Sequence, residues 1–363
     1  MGEKIRVAVI FGGKSTEHEI SRLSAQSIIN RLNKDKYKII MIGITKEGKW
    51  LSYNGPLDKL STNEWEEIAI SENKKNNMQK SILFNNLIEE KDINKQIDVI
   101  FPVLHGLNGE DGTVQGLFEV AGIPYVGSGV LASALGMDKY YSKCLFEKEG
   151  LMQCKYFVIK RKQVAQLNEI LTEVEDAFSY PCFVKPCNCG SSVGVNKAHN
   201  RDELIEFINT ALKYDRRILI EEYIEGREIE CSVLGNDEPI ASIPGEIISS
   251  NEFYDYEAKY SKDSKSQIII PARLPNQTVD KIKNYALRAF KTLDCAGLAR
   301  VDFFVSKKTG DVYINELNTM PGFTEISMYP KLWEAEGLPY EKLLDKLIEL
   351  AFERHKEKMN LKV

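Results

Sequence analysis

Four stretches of this 363-residue chain carry side chains whose types and spacing suit chemistry on phosphates and carboxylates. In "AGLARVDFFVSKKTGDVYINELNTMPG", two apolar runs flank Lys307-Lys308-Thr309-Gly310, the pattern of a β-hairpin turn. Strand side chains alternate, so Arg300 and Asp302 share a face, as do Glu316 and Asn318. With Val305 paired to Asp311, Arg300 is expected opposite Glu316, and Asp302 one diagonal away. Two carboxylates, an amide oxygen and a guanidinium then meet on one patch. Such an oxygen-only donor set suits Mg²⁺ or Mn²⁺ bridging to substrate phosphates. A solvated Arg–Glu face is the plainer reading, but a surface hairpin has no use for the adjoining "NTMPGF".

The second stretch, "FVKPCNCGSSVGVNK", ends an apolar strand in Lys185 and follows it with a Gly-Ser-Ser loop. There the backbone N–H groups can approach an anion while the lysine supplies charge. The third, "ILIEEYIEGREIE", ends a β-run in Glu221 and Glu222, with Glu228 past a glycine turn. Carboxylates and backbone groups so placed can hold an adenine and a ribose, although acidic strand ends are common. The fourth, "HGLNGEDGTVQG", opens with His105 at the carboxyl end of the apolar strand "DVIFPVL", where ligands of parallel sheets bind. The Gly12–Glu17 turn after "VAVIFGG" occupies the same kind of position. Its Gly-Lys-Ser resembles the tail of a P-loop, but Ala8 stands where the first glycine is required, and Val9, Ile10 and Phe11 are strand formers.

The elements that position these groups alternate over the first 125 or so residues. The strands are Ile5 to Phe11, Tyr37–Ile44 and Asp98–Leu104, with a short run at "GIPYVG"; the helices are Ile20–Leu32 and one near Val114–Val120. This pattern predicts a parallel sheet flanked by helices. The polar segment from Ser61 to Ser81 reads as surface elaboration. A second unit opens near Gly127 with the small-residue helix "SGVLASALGMDK". A third, strand-rich unit follows "RILIEEYIEG" and closes on an amphipathic helix over Tyr340–Lys356.

Bulk properties exclude several classes. A net charge of -5 leaves no basic face for nucleic acid. No apolar run approaches the length of a membrane span. The opening "MGEKIRVAV" lacks an apolar signal segment, so the chain is expected in the cytoplasm, with its seven cysteines as reduced thiols.

Taken together, "FGGKSTEHEIS", "HGLNGEDGTVQG", "VGSGVLASALGMDK", "VKPCNCGSSVGV", "FYDYEAKY" and "GLARVDFF…INELNTMPG" resemble the D-alanine–D-alanine ligase family of ATP-grasp enzymes, over nearly the whole chain. The resemblance implies an α/β fold, α+β in its C-terminal half, in three domains. These are a Rossmann-like unit at 1–127, a central unit at 128–222, and a catalytic unit at 223–363 with a lid loop at 249–267. It implies ATP and two Mg²⁺ or Mn²⁺ ions, D-alanine as substrate, no nucleic-acid or membrane partner, and a homodimer. Carried over residue by residue, Lys139, Lys185, Ser191, Ser192, Val193 and Lys259 face ATP phosphates. Glu221, Glu222, Ile224 and Glu228 hold adenine and ribose, and Asp302, Glu316 and Asn318 hold the metals. Glu17 and His105 adjoin the first D-alanine; Lys259, Ser327 and Met328 adjoin the second. Arg300 and Gly322 stabilise an oxyanion, and Tyr260 reaches back to Glu17 and Ser191. Tyr260 argues against a D-lactate ligase. Met328 offers no hydrogen bond to a D-serine hydroxyl, which favours D-alanine as second substrate over the D-alanine–D-serine alternative. Glu222 stands where many relatives carry lysine.

Overall fold

The computed structural model describes residues 3–75, 97–190, 193–248 and 266–362. The first strand, β1 (Ile5–Gly12), is fully buried from Val7 to Phe11, as an uninterrupted apolar run requires when both faces are covered. It ends at Gly12, where a Cβ would stand 2.2 Å from the Ile44 carbonyl oxygen, so the Gly-Gly pair makes room for the neighbouring strand. Helix α1 (His18–Arg31) follows, then β2 (Tyr37–Ile44), β3 (Trp50–Tyr53), α2 (Glu64–Lys75), β4 (Val99–Val103) and α3 (Thr113–Ala121). The sheet order is β3-β2-β1-β4, with β2 and β4 parallel to β1 and β3 antiparallel at the edge. The "GIPYVG" run touches this sheet through a single bridge, Ile100 to Tyr125, rather than as a strand.

The expectation of surface elaboration at Ser61–Ser81 is corrected for its described part. Trp65 of α2 is buried, meets Phe11 edge-on at 5.1 Å, and lies on Gly43, where a side chain would collide with its ring. Trp65, with Ala69 and Ile68 one turn on, brings the helix into the core despite its polar neighbours. Residues 76–81 lie outside the described residues.

Helices α4 (Val130–Met137) and α5 (Lys139–Lys148) lead into a small antiparallel sheet of order β5-β8-β6-β7. Its strands are β5 (Tyr156–Lys160), β6 (Cys182–Pro186), β7 (Asn196–Ala198) and β8 (Arg217–Glu222). Helices α6 (Leu167–Ala177) and α7 (Arg201–Ala211) cover one face, and Leu171, Val184, Leu204, Ile208 and Ile220 form a core private to this layer. Its opposite face looks onto the cleft described below.

The third sheet runs β12-β11-β9-β13-β14 with β10 beside β9, all antiparallel. Its strands are β9 (Gly226–Gly235), β10 (Ile240–Ala241), β11 (Gly245–Ile248), β12 (Gln267–Ile269), β13 (Gly297–Ser306) and β14 (Val312–Asn318). Helix α8 (Asn276–Thr292) covers one side, and α9 (Met328–Ala335) and α10 (Tyr340–Met359) complete the chain. α10 carries Leu343, Leu344, Leu347 and Ile348 into the core that β1 and β4 share with Leu298 and Phe323.

The β13–β14 hairpin forms as expected, but its register is corrected. Val305 pairs with Val312, and a bulge between Asp302 and Phe303 shifts the pairing, so that Asp302 faces Glu316 and Arg300 faces Asn318. The bulge absorbs Asn315 as the extra residue, which brings the two carboxylates directly opposite instead of diagonal.

Candidate active site

The three sheets enclose one cleft of about 1360 Å³. Its acidic wall is the β13–β14 face with Arg300, Asp302, Glu316 and Asn318 all lining it. The Arg300 guanidinium donates twice to Asp302, at 2.7 Å each, and its Nε lies 3.1 Å from Glu230 Oε2. Asn318 Nδ2 donates to Asp302 Oδ2 at 3.0 Å, which places the amide, with its acceptor oxygen, beside the carboxylate. Among the described residues, no three His, Cys, Asp or Glu side chains converge on one point. The donor set is therefore two opposed carboxylates and an amide, hard oxygens that fit Mg²⁺ or Mn²⁺ and leave positions for phosphate oxygens and water.

The basic wall comes from α5 and the small sheet. Asp138 caps α5 by accepting from the Tyr140 and Tyr141 N–H groups at 3.2 Å and pairs with Arg217, which fixes Lys139 at the first helical position. Lys139 Nζ donates to the Cys189 carbonyl at 2.6 Å and lies 4.0 Å from Glu316 Oε2 across the cleft. On β6 the alternation buries Cys182 and Val184 and turns Phe183 and Lys185 toward the cleft. Lys185 donates to Asn315 Oδ1 at 3.4 Å, so the lysine and the β13–β14 hairpin adjoin.

Glu221, expected to face a nucleotide, commits its side chain elsewhere. One carboxylate oxygen lies 2.5 Å from Lys185 Nζ and the other 2.7 Å from Lys143 Nζ. Burial alone would push this carboxyl up, but the two ammonium groups outweigh it and hold it down to about 2. Glu222 likewise turns back, accepting from the Lys155 N–H at 2.8 Å. Both residues still line the cleft. Ile224 and Glu228 line the cleft with Phe183, Phe304 and Leu317, an apolar slot with an acidic rim.

Glu17 begins α1 with its carboxylate buried between two loops. A Cβ at Gly106 would stand 2.5 Å from Glu17 Oε2, and one at Gly190 would stand 2.8 Å from it. The glycines of "HGLNGEDG" and "CGSS" thus let the turn, the histidine loop and the serine loop meet on one carboxylate. His105 is buried with both ring nitrogens engaged: Nδ1 donates to the Met320 carbonyl at 3.0 Å, and Nε2 accepts from Ser24 Oγ at 3.3 Å. Burial lowers its pKa, in keeping with a neutral ring. It therefore ties the Met320–Phe323 segment to α1 while lining the cleft beside Glu17.

Gly322 and Ser327 sit together, since a Cβ on the glycine would stand 2.8 Å from Ser327 Oγ. Ser327 Oγ accepts from the Thr324 N–H at 2.9 Å. Met328 lines the cleft but is buried among Ile247 and Leu332. Val193 N–H closes a turn onto the Gly190 carbonyl at 3.2 Å. Ser191, Ser192, Lys259, Tyr260 and all of the 249–267 loop except its last two residues lie outside the described residues.

Three participants escaped the sequence reading. Lys143 lies one helical turn beyond Lys139, a spacing that places both on one face and was available as a signal. Glu230, two residues beyond Glu228, alternates onto the same strand face. Glu110 accepts from the N–H groups of Gly106 (2.7 Å) and Met320 (3.1 Å), and its desolvation together with the charge of Glu17 pushes it up to about 8. All seven cysteines are free thiols, as expected. Among the described residues, no helix is long and apolar enough to cross a membrane.

A cleft between two antiparallel sheets, with lysines on one wall and oxygen ligands on the other, against a parallel N-terminal sheet, is the ATP-grasp architecture. Family models described as D-ala D-ala ligase N-terminus and C-terminus match residues 6–128 and 145–349, and the chain belongs to that family. A D-alanine--D-alanine ligase from Acetivibrio thermocellus is 58% identical, over 99% of this chain and 99% of the relative. One from Ruminiclostridium cellulolyticum is also 58% identical, over 98% and 97%. Among solved structures, the VanG D-Ala:D-Ser ligase from Enterococcus faecalis superposes with a TM-score of 0.82 at 39% identity, covering 96% of this chain and 100% of that one. The D-alanine-D-alanine ligase from Coxiella burnetii gives 0.79 at 36%, over 99% and 97%.

Proposed function

We propose that the cleft joins two D-alanines at the expense of ATP, supplying a dipeptide for peptidoglycan in the cytoplasm. The observation that carries this reading is the approach of Lys139 to Glu316, at 4.0 Å, and of Lys185 to Asn315, at 3.4 Å. A triphosphate lying there meets ammonium groups on one side and carboxylates on the other. Asp302, Glu316 and Asn318 would hold Mg²⁺, which when bound neutralises phosphate charge. Lys139 and Lys185 orient the γ-phosphate, with Ser191, Ser192, Val193 and Lys259 covering it. The apolar slot takes adenine, with backbone groups at Glu221, Glu222 and Ile224 and the Glu228 carboxylate toward the ribose.

Glu17 pairs with the ammonium of the first D-alanine and so aims its carboxylate at the γ-phosphorus. Attack forms an acyl phosphate and releases ADP. The free amine of the second D-alanine, its carboxylate held by Ser327 and Lys259, then attacks the acyl carbon. Arg300 and the Gly322 N–H stabilise the tetrahedral oxyanion until phosphate leaves. In this structure the Arg300 guanidinium donates to Asp302 and lines the cleft, and from there it would reach the oxyanion. Tyr260 and the 249–267 loop exclude water from the acyl phosphate. The three units 1–127, 128–222 and 223–363 bring these parts together, and the protein works as a homodimer.

The test is phosphate release and dipeptide formation with ATP, Mg²⁺ and D-alanine, repeated with D-serine added. Dipeptide from D-alanine alone is expected. A mixed product in preference to it would support a D-alanine–D-serine ligase, and ATP binding without any phosphate release would indicate a non-catalytic nucleotide sensor.

A further inference from the structure

Glu221 has one more cation than pairing requires. Lys143 and Lys185 each occupy one of its oxygens, at 2.7 and 2.5 Å. The two lysines are not equivalent. The Lys143 side chain is 1% exposed and takes no part in the cleft wall; it lies 3.9 Å from the Cys154 thiol and 5.5 Å from the centre of the Tyr156 ring. The Lys185 side chain is 12% exposed and lines the cleft. Cys154 brings no counter-charge, because burial keeps its thiol protonated. A buried carboxylate left with no cation is strongly unfavourable, so a site with Lys185 alone would resist giving that lysine to a ligand.

We propose that Lys143 is a positioning residue: the permanent counterion of Glu221, which frees Lys185 to transfer from that carboxylate to the incoming triphosphate. The inference rests on the reading of the cleft as an ATP site. Lys143 touches no substrate; it acts by making the departure of Lys185 inexpensive.

The experiment measures ATP and adenosine binding by calorimetry on the full chain with Mg²⁺, for wild type, Lys143→Met and Lys143→Met/Glu221→Gln, with circular dichroism as the check of folding. Lys143→Met is expected to weaken ATP on the order of 100-fold. It should leave adenosine, which has no phosphate for Lys185, within about threefold. Adding Glu221→Gln removes the stranded charge and should recover at least about tenfold of the ATP affinity. The proposal is overturned if Lys143→Met binds ATP like wild type, or if ATP and adenosine weaken in parallel as a damaged pocket would require. It is equally overturned if the folded double variant binds ATP no better than the single one. Should Lys143→Met fail to fold, the double variant decides alone: it must fold and bind ATP within about tenfold of wild type. Wild type that bound no ATP would remove the nucleotide reading itself.

Discussion

The placement of Glu17 by two glycines can be tested with three alanine substitutions that separate strain from contact. Gly106 has φ +70°, and its added methyl would stand 2.5 Å from Glu17 Oε2. Gly190 has ordinary φ, and its methyl would stand 2.8 Å from the same oxygen. Gly122 has φ +64°, with nothing within 4 Å of its added methyl, and so reports backbone strain alone. A left-handed residue with a Cβ costs about 1–2 kcal/mol, worth a few degrees of Tm in a chain of this size. A carbon–oxygen contact normally settles near 3.4 Å, so Gly106→Ala must push the carboxylate away by roughly 1 Å, and Gly190→Ala by slightly less. Misplacing a positioning group by about 1 Å can cost on the order of 100-fold in rate. Gly106→Ala should therefore lose at least as much Tm as Gly122→Ala, while only Gly106→Ala and Gly190→Ala lose kcat/KM for D-alanine in a coupled ADP-release assay. If Gly106→Ala and Gly190→Ala stay within threefold of wild type, the carboxylate either does not need its observed position or is not in the substrate's path.

Asp302→Asn and Glu316→Gln should keep wild-type circular dichroism yet lose at least about 100-fold in phosphate release, because each removes a hard anionic donor; full activity in either rejects the metal assignment. Lys14→Ala should leave ATP affinity within about twofold, since the Lys14 stem packs over the Gly48 turn and does not line the cleft, whereas Lys185→Ala should weaken it at least tenfold. Glu221 is held down to about 2, below its ordinary 4.5. Its contribution to stability is thus complete above pH 4.5 and lost as pH falls toward 2. Urea midpoints should drop more steeply across that window for wild type than for Glu221→Gln; parallel curves would mean that the carboxylate is not ionised in its lysine pair. Trp65→Ala should cost about 3–5 kcal/mol by urea unfolding, whereas a surface helix would lose almost nothing.

Regular alternation and uninterrupted apolar runs made much of the scaffold legible. Strand β2 occupies the residues expected, and the two β13–β14 runs form the predicted hairpin. The bulge at Asn315 could not be read, because an extra residue in a polar stretch leaves no mark on the hydrophobic pattern, yet it decides which carboxylate faces which. Trp65 was hidden by its polar neighbours, since one large buried ring outweighs several solvated side chains. In the site, residue types were legible and their present partners were not. Glu221 was read as a ligand for adenosine because a carboxylate at a strand end suits that task; that Lys143 points inward from a helix depends on packing between layers. His105 was correctly singled out as a loop-opening residue, but its two hydrogen bonds connect segments more than 80 and 200 positions away, beyond any local pattern.

His105, Ser24 and Phe323 form a set of rivets between the parallel sheet and the last sheet, and α10 seals that joint with shared hydrocarbon. Among the described residues, the main hydrophobic cluster of the small sheet lies within its own layer, and its ties to the rest include the polar contacts of Lys139 with Cys189, Arg217 with Asp138, Lys143 with Glu221 and Lys185 with Asn315. Two of the three layers therefore share one hydrophobic core, while the third keeps most of its own. Hydrogen exchange would register this as amides of β5–β8 opening together at lower cost than those of β1 or β13, and a compound wedged between the small sheet and the other two layers would jam the enzyme without resembling either amino acid.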